Sequence, residues 1–152
     1  MKAISTFVLA TLVAAAATPV MAQQFAKPED AIKYRQSVFT VMGTHMGRLG
    51  AMANGKAPFD AKAAAESANV IETLSKLPFA AFGPGTDAGG NTKALPEIWK
   101  DGAKFKDAAD KMAGATAKLN AAVKASGADG LKAEFGNTGG TCKGCHDNFK
   151  AK

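Results

Sequence analysis

Residues 129–151 read DGLKAEFGNTGGTCKGCHDNFKA. Leu131, Phe135, Cys142, Cys145 and Phe149 recur along this stretch at helical spacing, so it is expected to be a helix from Asp129 to about Ala151. Gly136, Gly139 and Gly140 each cost such a helix about 1 kcal/mol against alanine, and they leave room for a flat ligand to approach the backbone. The run Cys142-Lys143-Gly144-Cys145-His146 carries the chemistry. C-x-x-C-H is the spacing of covalent haem attachment. On a helix, residues three apart share a face, so both thiols can add to the two vinyl groups of one haem. His146 then lies under the ring, where its imidazole nitrogen binds the iron.

Two other uses of paired cysteines fit less well. A dithiol–disulfide pair sits where a strand meets a helix, and no strand pattern precedes Cys142. A zinc site needs four ligands, with a third sulfur or a second close histidine. The one other histidine, His45, is far away in sequence. Both cysteines of the chain are therefore assigned to one haem c, held through Cys142 and Cys145.

Working outward, three more helices are legible. Pro28-Glu29-Asp30 has the form of a helix start, with Pro in the first turn and acids at the positive end of the dipole. Ile32, Val38, Phe39, Val41, Met42, Met46 and Leu49 follow with helical period, and Gly50 and Asn54-Gly55 end it. Asp60 caps a second helix, with Ala64, Ala68, Ile71, Leu74 and Leu77 inward and Pro78 closing it. Pro96-Glu97 opens a third, whose core face includes Ile98, Trp99, Ala103, Phe105, Met112, Leu119 and Val123; Ser126-Gly127 ends it. The connection 82–94 is long and glycine-rich, and a loop of that kind in a small domain is functional or disordered. Phe79 and Phe82 at its start give it something to pack on. With no alternating β pattern and no internal repeat, the expected fold is all-α, an antiparallel four-helix bundle carrying one covalent haem.

The 152 residues suit one domain. Met1-Lys2, the uncharged apolar run Ile4 to Ala17, Pro19 and then Val20-Met21-Ala22 have the form of a secretory signal peptide, residues 1–22, removed to leave a domain of residues 23–152. The apolar run is short for a membrane anchor, and no other segment is apolar enough to cross a bilayer. Export agrees with the cysteine usage, because thiols outside the cytoplasm are consumed. The formal charge of +6 is carried by scattered lysines without runs or interleaved aromatics, which excludes a nucleic-acid partner and leaves a preference for an acidic redox partner.

The other axial position of the iron decides what the site does. Six residues follow His146, and none is Met or His. A second ligand must come from elsewhere in the bundle: Met42, Met46, Met52, Met112 or His45. The first helix is the natural opposite wall, with Arg35, Phe39, Met42 and Met46 in one stripe. A phenyl group cannot bind iron; Phe39 would block the site and keep it dry. Met42 and Met46 read chiefly as core filler, and His45 as a surface or satisfied histidine.

Several of these segments together resemble cytochrome c′, the class II c-type cytochromes, in their β-proteobacterial form. They are Gln24-Phe25-Ala26-Lys27-Pro28-Glu29-Asp30-Ala31, Lys33-Tyr34-Arg35-Gln36-Ser37, Phe82-Gly83-Pro84-Gly85-Thr86, Pro96-Glu97-Ile98-Trp99 and Cys142 to Asp147. The resemblance covers nearly the whole domain. It implies a periplasmic protein with pentacoordinate, high-spin iron, His146 proximal, and an apolar distal face that binds nitric oxide and carbon monoxide. Phe39 takes the distal position, where several members have leucine, and its bulk should hinder distal ligands more. Arg35 and Gln36 correspond to positions near the haem propionates. Lys150 stands where the family often has arginine beside the imidazole; it keeps the charge and loses the planar fork. Phe82 and Phe149 complete the expected cofactor contacts. The loop around Gly90 to Leu95 is longer than in similar members. The resemblance also implies a homodimer through the first two helices, where Ala51, Ala53, Ala57, Ala61 and Ala65 offer small surfaces.

Three functions are open to such a site. The first is gas binding, as nitric oxide scavenging or carriage, which leaves the haem free to pass electrons to an unknown redox partner. The alternative is a low-spin electron carrier with Met42 or Met46 as sixth ligand. An enzyme is not expected, since a peroxidase needs a distal base and a polar cation at the iron, and no distal histidine or carboxylate is evident.

Overall fold

A computed structural model describes residues 25–152, and the signal-peptide reading of residues 1–22 lies outside the described residues. Helix α1 spans Pro28–Ala53 and starts as its sequence dictates, with Pro28 at the first position and Glu29 and Asp30 in the first turn. It runs through Gly50. The Asn54 and Lys56 amides then close its end on the Gly50 and Ala51 carbonyls. Helix α2 spans Ala61–Leu74; the Asp60 carboxylate accepts from the Ala63 amide at 2.9 Å, satisfying one of the orphan donors of the first turn. A 3₁₀ turn, Pro78–Ala81, and the glycine-rich loop lead to a short helix α3, Glu97–Lys100, and then to α4, Gly102–Phe149.

Helix α4 is a hairpin. Gly127, at φ 54° and ψ −121°, breaks it into arms of residues 102–126 and 128–149. A side chain is strained at that φ. Three residues on, a Cβ added to Gly130 would lie 2.0 Å from the Ala122 carbonyl oxygen, so the returning arm can cross there only as glycine. The arms run antiparallel, with Thr138 Oγ1 donating to Ala115 O at 3.4 Å and Lys104 Nζ donating to Asn148 Oδ1 at 3.1 Å. Helices α1 and α2 are antiparallel as well. His45 Nδ1 lies 3.2 Å from Ser67 Oγ, and the Asp60 amide donates to Met52 Sδ at 3.5 Å. The result is the expected all-α antiparallel four-helix bundle.

Each helix contributes a side chain to the aliphatic core: Leu49, Ile71, Leu119 and Leu131, all essentially inaccessible to water. Burying each is worth roughly 1.5–3 kcal/mol. A second, aromatic cluster lies at the other end, built on Ile98, Phe105 and Phe149 with Phe79, Phe82 and Trp99 packed against them.

Local details depart from the periodic reading. The third helix does not run unbroken from Pro96-Glu97: Asp101, at φ −125° and ψ 66°, interrupts it and caps α4 through the Lys104 amide at 3.0 Å. Leu77 is not inward but 40 % exposed, because α2 ends at Leu74 and the helical period no longer positions it. Val41 and Ala103 likewise face outward. No described helix is long and apolar enough to cross a membrane.

Candidate functional site

The aromatic end encloses a cavity of about 680 Å³, within the ~300–1,000 Å³ usual for cofactor sites. The second arm of α4 brings Cys142, Cys145, His146 and Phe149 to it, and α1 brings Arg35, Gln36, Phe39, Met42 and Met46. Phe82 and Lys150 complete the set expected from sequence, so the fold gathers every one of those residues around one space. His45 stays outside it, on Ser67, and Met52 packs in the aliphatic core.

Helical geometry places Cys142 and Cys145 on one face, both half-buried free thiols. Burial pushes both thiols above the ordinary cysteine range; for Cys145 the neighbouring Cys142 adds to it. Partial desolvation, and then the charge of Lys150, hold His146 below its ordinary value, with Asp147 pulling partly back. The imidazole therefore favours the neutral form that binds a metal. Gly139 borders the same cavity, and nothing lies within 4 Å of a Cβ placed there or on Gly136 or Gly140.

Opposite, the Phe39 ring meets Phe79 edge-on at 6.4 Å. Phe79 continues the wall to Phe105 at 5.6 Å, and Phe105 to Phe149 at 5.2 Å. Phe105 and Phe79 belong to the site as much as Phe39 does. Phe105 read as ordinary core because an apolar side chain in a helix stripe looks the same whether it faces a leucine or a cofactor.

Arg35 is the polar anchor. It is 2 % exposed, and burial draws its guanidinium below the usual arginine value. Nη1 donates to the Ala81 carbonyl at 3.0 Å and to Thr86 Oγ1 at 2.9 Å; Nη2 donates to the Thr86 carbonyl at 2.7 Å and to Thr92 Oγ1 at 2.8 Å. Its plane lies 4.2 Å from the Phe82 ring centroid. No carboxylate pairs with it among the described residues. Gln36 Nε2 donates to the Asn91 carbonyl at 2.8 Å. The glycine-rich loop is thus fastened to α1 by Thr86, Asn91 and Thr92, a role the sequence assigned to none of them. The same loop is fastened to the chain end. Ala94 bridges Lys150, with the Leu95 amide donating to the Phe149 carbonyl at 3.0 Å and the Ala151 amide to the Lys93 carbonyl at 2.8 Å.

These residues fit a haem. The walls are apolar and aromatic, two thiols and an imidazole line one side, and a buried arginine without a counter-charge suits an acidic substituent at the rim. Fold and site together define a haem-binding helical bundle. The chain belongs to the cytochrome c′ family, whose model matches residues 30–150. Cytochrome c′ of Rubrivivax gelatinosus is 60 % identical over 129 residues, 85 % of this chain and 100 % of that protein. Its crystal structure matches with a TM-score of 0.81 over 84 % of this chain and 100 % of the other. A nitric oxide complex of a mutant cytochrome c prime from Alcaligenes xylosoxidans matches at 0.79, with 48 % identity over 85 % of this chain and 99 % of that one. A carbon monoxide-bound variant of the Alcaligenes protein matches at 0.78, with 48 % identity, 85 % and 100 % covered. The family binds haem c.

Proposed function

We propose that this protein is a periplasmic haem protein that binds nitric oxide and carbon monoxide, scavenging or carrying nitric oxide, with one haem joined covalently to Cys142 and Cys145. When bound, the haem would supply an iron able to bind a neutral diatomic, and His146 would hold it. Phe39 is the observation that carries the reading: the wall facing the C-x-x-C-H arm presents a phenyl ring, which offers no lone pair to iron. Phe39, Phe79 and Phe105 keep that face apolar, so water and anions gain little by entering. Arg35 and Gln36 hold the rim of the cavity, and Lys150 places a positive charge near the imidazole. The cavity lining holds no carboxylate, and no histidine but His146, among the described residues; a peroxidase reaction would lack its base. The signal-like N-terminus supports export. The small alanine surfaces of α1 and α2 suit pairing with a second copy. The same haem passes electrons when a redox partner docks.

Met42 and Met46 line the same cavity, which keeps a low-spin electron carrier as the second reading. The visible spectrum of the reduced protein separates the two. A five-coordinate, high-spin spectrum that shifts on adding carbon monoxide or nitric oxide supports gas binding. A six-coordinate, low-spin spectrum without added ligand, with a methionine-to-iron charge-transfer band in the ferric state, supports the carrier and overturns the first reading.

A further inference from the structure

A second cleft, of about 410 Å³, opens between the residues that follow α2 and the first arm of α4. Ser75, Phe79, Phe105, Ala109 and Ala113 line it. Phe79 and Phe105 also line the larger cavity, so the two spaces share a wall. A further contact crosses the same wall: Thr116, on the larger cavity, donates its hydroxyl to Ser75 Oγ at 3.1 Å. The partition is one layer of side chains thick.

Of the two shared rings, Phe79 is the one that meets Phe39. It stands in the 3₁₀ turn Pro78–Ala81, is half-buried, and touches the Phe39 ring edge-on. The outer cleft suits an uncharged visitor. Its inner lining of Phe79, Phe105, Ala109 and Ala113 is apolar; at its edge Lys106 and Asp110 pair with each other at 2.5 Å, and Lys76 is exposed to solvent. An ion passing inward between Phe79 and Phe105 would lose hydration with only aromatic rings to replace it.

We propose that the outer cleft is an antechamber for small neutral diatomics, and that Phe79 and Phe105 form the gate through which they reach the face lined by Phe39. This rests on the reading that the haem binds such ligands. A gate differs from a steric block at the iron. It slows or speeds entry and exit alike and leaves the equilibrium affinity unchanged, whereas a block at the iron changes the affinity.

Ala109 lines only the outer cleft, so Ala109→Trp in the holoprotein fills the antechamber without touching the haem cavity. Lys76→Trp, at the exposed edge of the cleft, is a second variant that leaves the core packing alone. Crystals of the wild type under xenon pressure are expected to hold xenon in the outer cleft, and those of Ala109→Trp to hold none there, since dry apolar spaces take up xenon. Flash photolysis of the carbon monoxide complex is expected to show kon and koff falling together, several-fold, in both variants, with Kd within twofold of wild type. Unchanged rates in variants whose visible spectra match wild type overturn the gate, as does a change in Kd without a matching change in both rates. A wild-type protein that binds no carbon monoxide at all overturns the gas-binding reading instead, and the xenon result then tells whether the cleft still accepts a neutral guest.

Discussion

Arg35 Nη2 donates to Thr92 Oγ1 at 2.8 Å, joining α1 to the far end of the glycine-rich loop. The cation is buried, and four neutral oxygens and an aromatic face stand where a carboxylate would be expected. Such a cation keeps an unsatisfied demand for negative charge, which the haem rim can meet. Thr92→Val removes one acceptor and leaves the side-chain shape nearly unchanged. Hydrogen bonds to a charged group are worth about 1.5–3 kcal/mol. The variant is expected to lose that amount in guanidinium unfolding of the holoprotein, and a loss near zero would show that the loop holds without it.

Leu119 sits in the aliphatic core with no accessible surface. Leu119→Ala is expected to cost about 2–5 kcal/mol, the transfer loss plus the cavity it leaves. Chemical denaturation reads this directly. The visible spectrum of the folded variant should match wild type, because Leu119 itself does not line the haem cavity.

Phe39→Ala removes the phenyl ring from the wall that α1 contributes to the cavity. Carbon monoxide affinity is expected to rise about tenfold, which is about 1.4 kcal/mol, with the gain mostly in the association rate. Titration of the ferrous protein measures it. An affinity equal to wild type would place the obstruction elsewhere, with Phe79 the next candidate.

Cys142→Ala together with Cys145→Ala removes both attachment points. Acid–acetone extraction is expected to strip haem from this variant and to leave it on the wild type. Haem staining after denaturing electrophoresis gives the same answer independently.

The thiols of the apoprotein supply a pH test. Burial raises both folded-state values above the ordinary one. Between the ordinary value and the raised ones, the unfolded chain has already released its thiol protons while the folded chain still holds them. The thiol contribution to stability is therefore fully present below the ordinary value and is lost as the pH rises through that window. Iodoacetamide should label the folded apoprotein more slowly than the guanidinium-unfolded one at pH 8, since the thiolate is the reactive form. Equal rates would contradict the burial seen at Cys142.

The helices were legible because each has chemistry at its start and a period along its length. Pro28 with its acids, Asp60 as a cap, and the Cys142–His146 register all fall where the sequence places them. The interruption at Asp101 was not legible. One aspartate in a continuous apolar period looks like a surface residue until its side chain turns to cap the next helix. The partners of Arg35 were hidden for another reason. Thr86 and Thr92 lie 51 and 57 positions away, in a loop whose path no periodicity describes. Phe105 and Phe79 were visible as apolar residues, but sequence cannot say whether an apolar side chain will find protein or cofactor opposite it.

The hairpin of α4 has unequal ends. At Gly130 the two arms meet backbone to backbone, with no room for a methyl group. At the opposite end the rings of Phe105 and Phe149 stand between them, 5.2 Å apart. The pair of helices is therefore a wedge, pinned at its narrow end by a glycine and propped at its wide end by two phenyl groups. Phe105 and Phe149 also line the cavity, so its dimensions depend on side chains outside the Cys142–His146 run. Evolution can tune the tightness of the pocket from either end of the wedge without disturbing Cys142, Cys145 or His146.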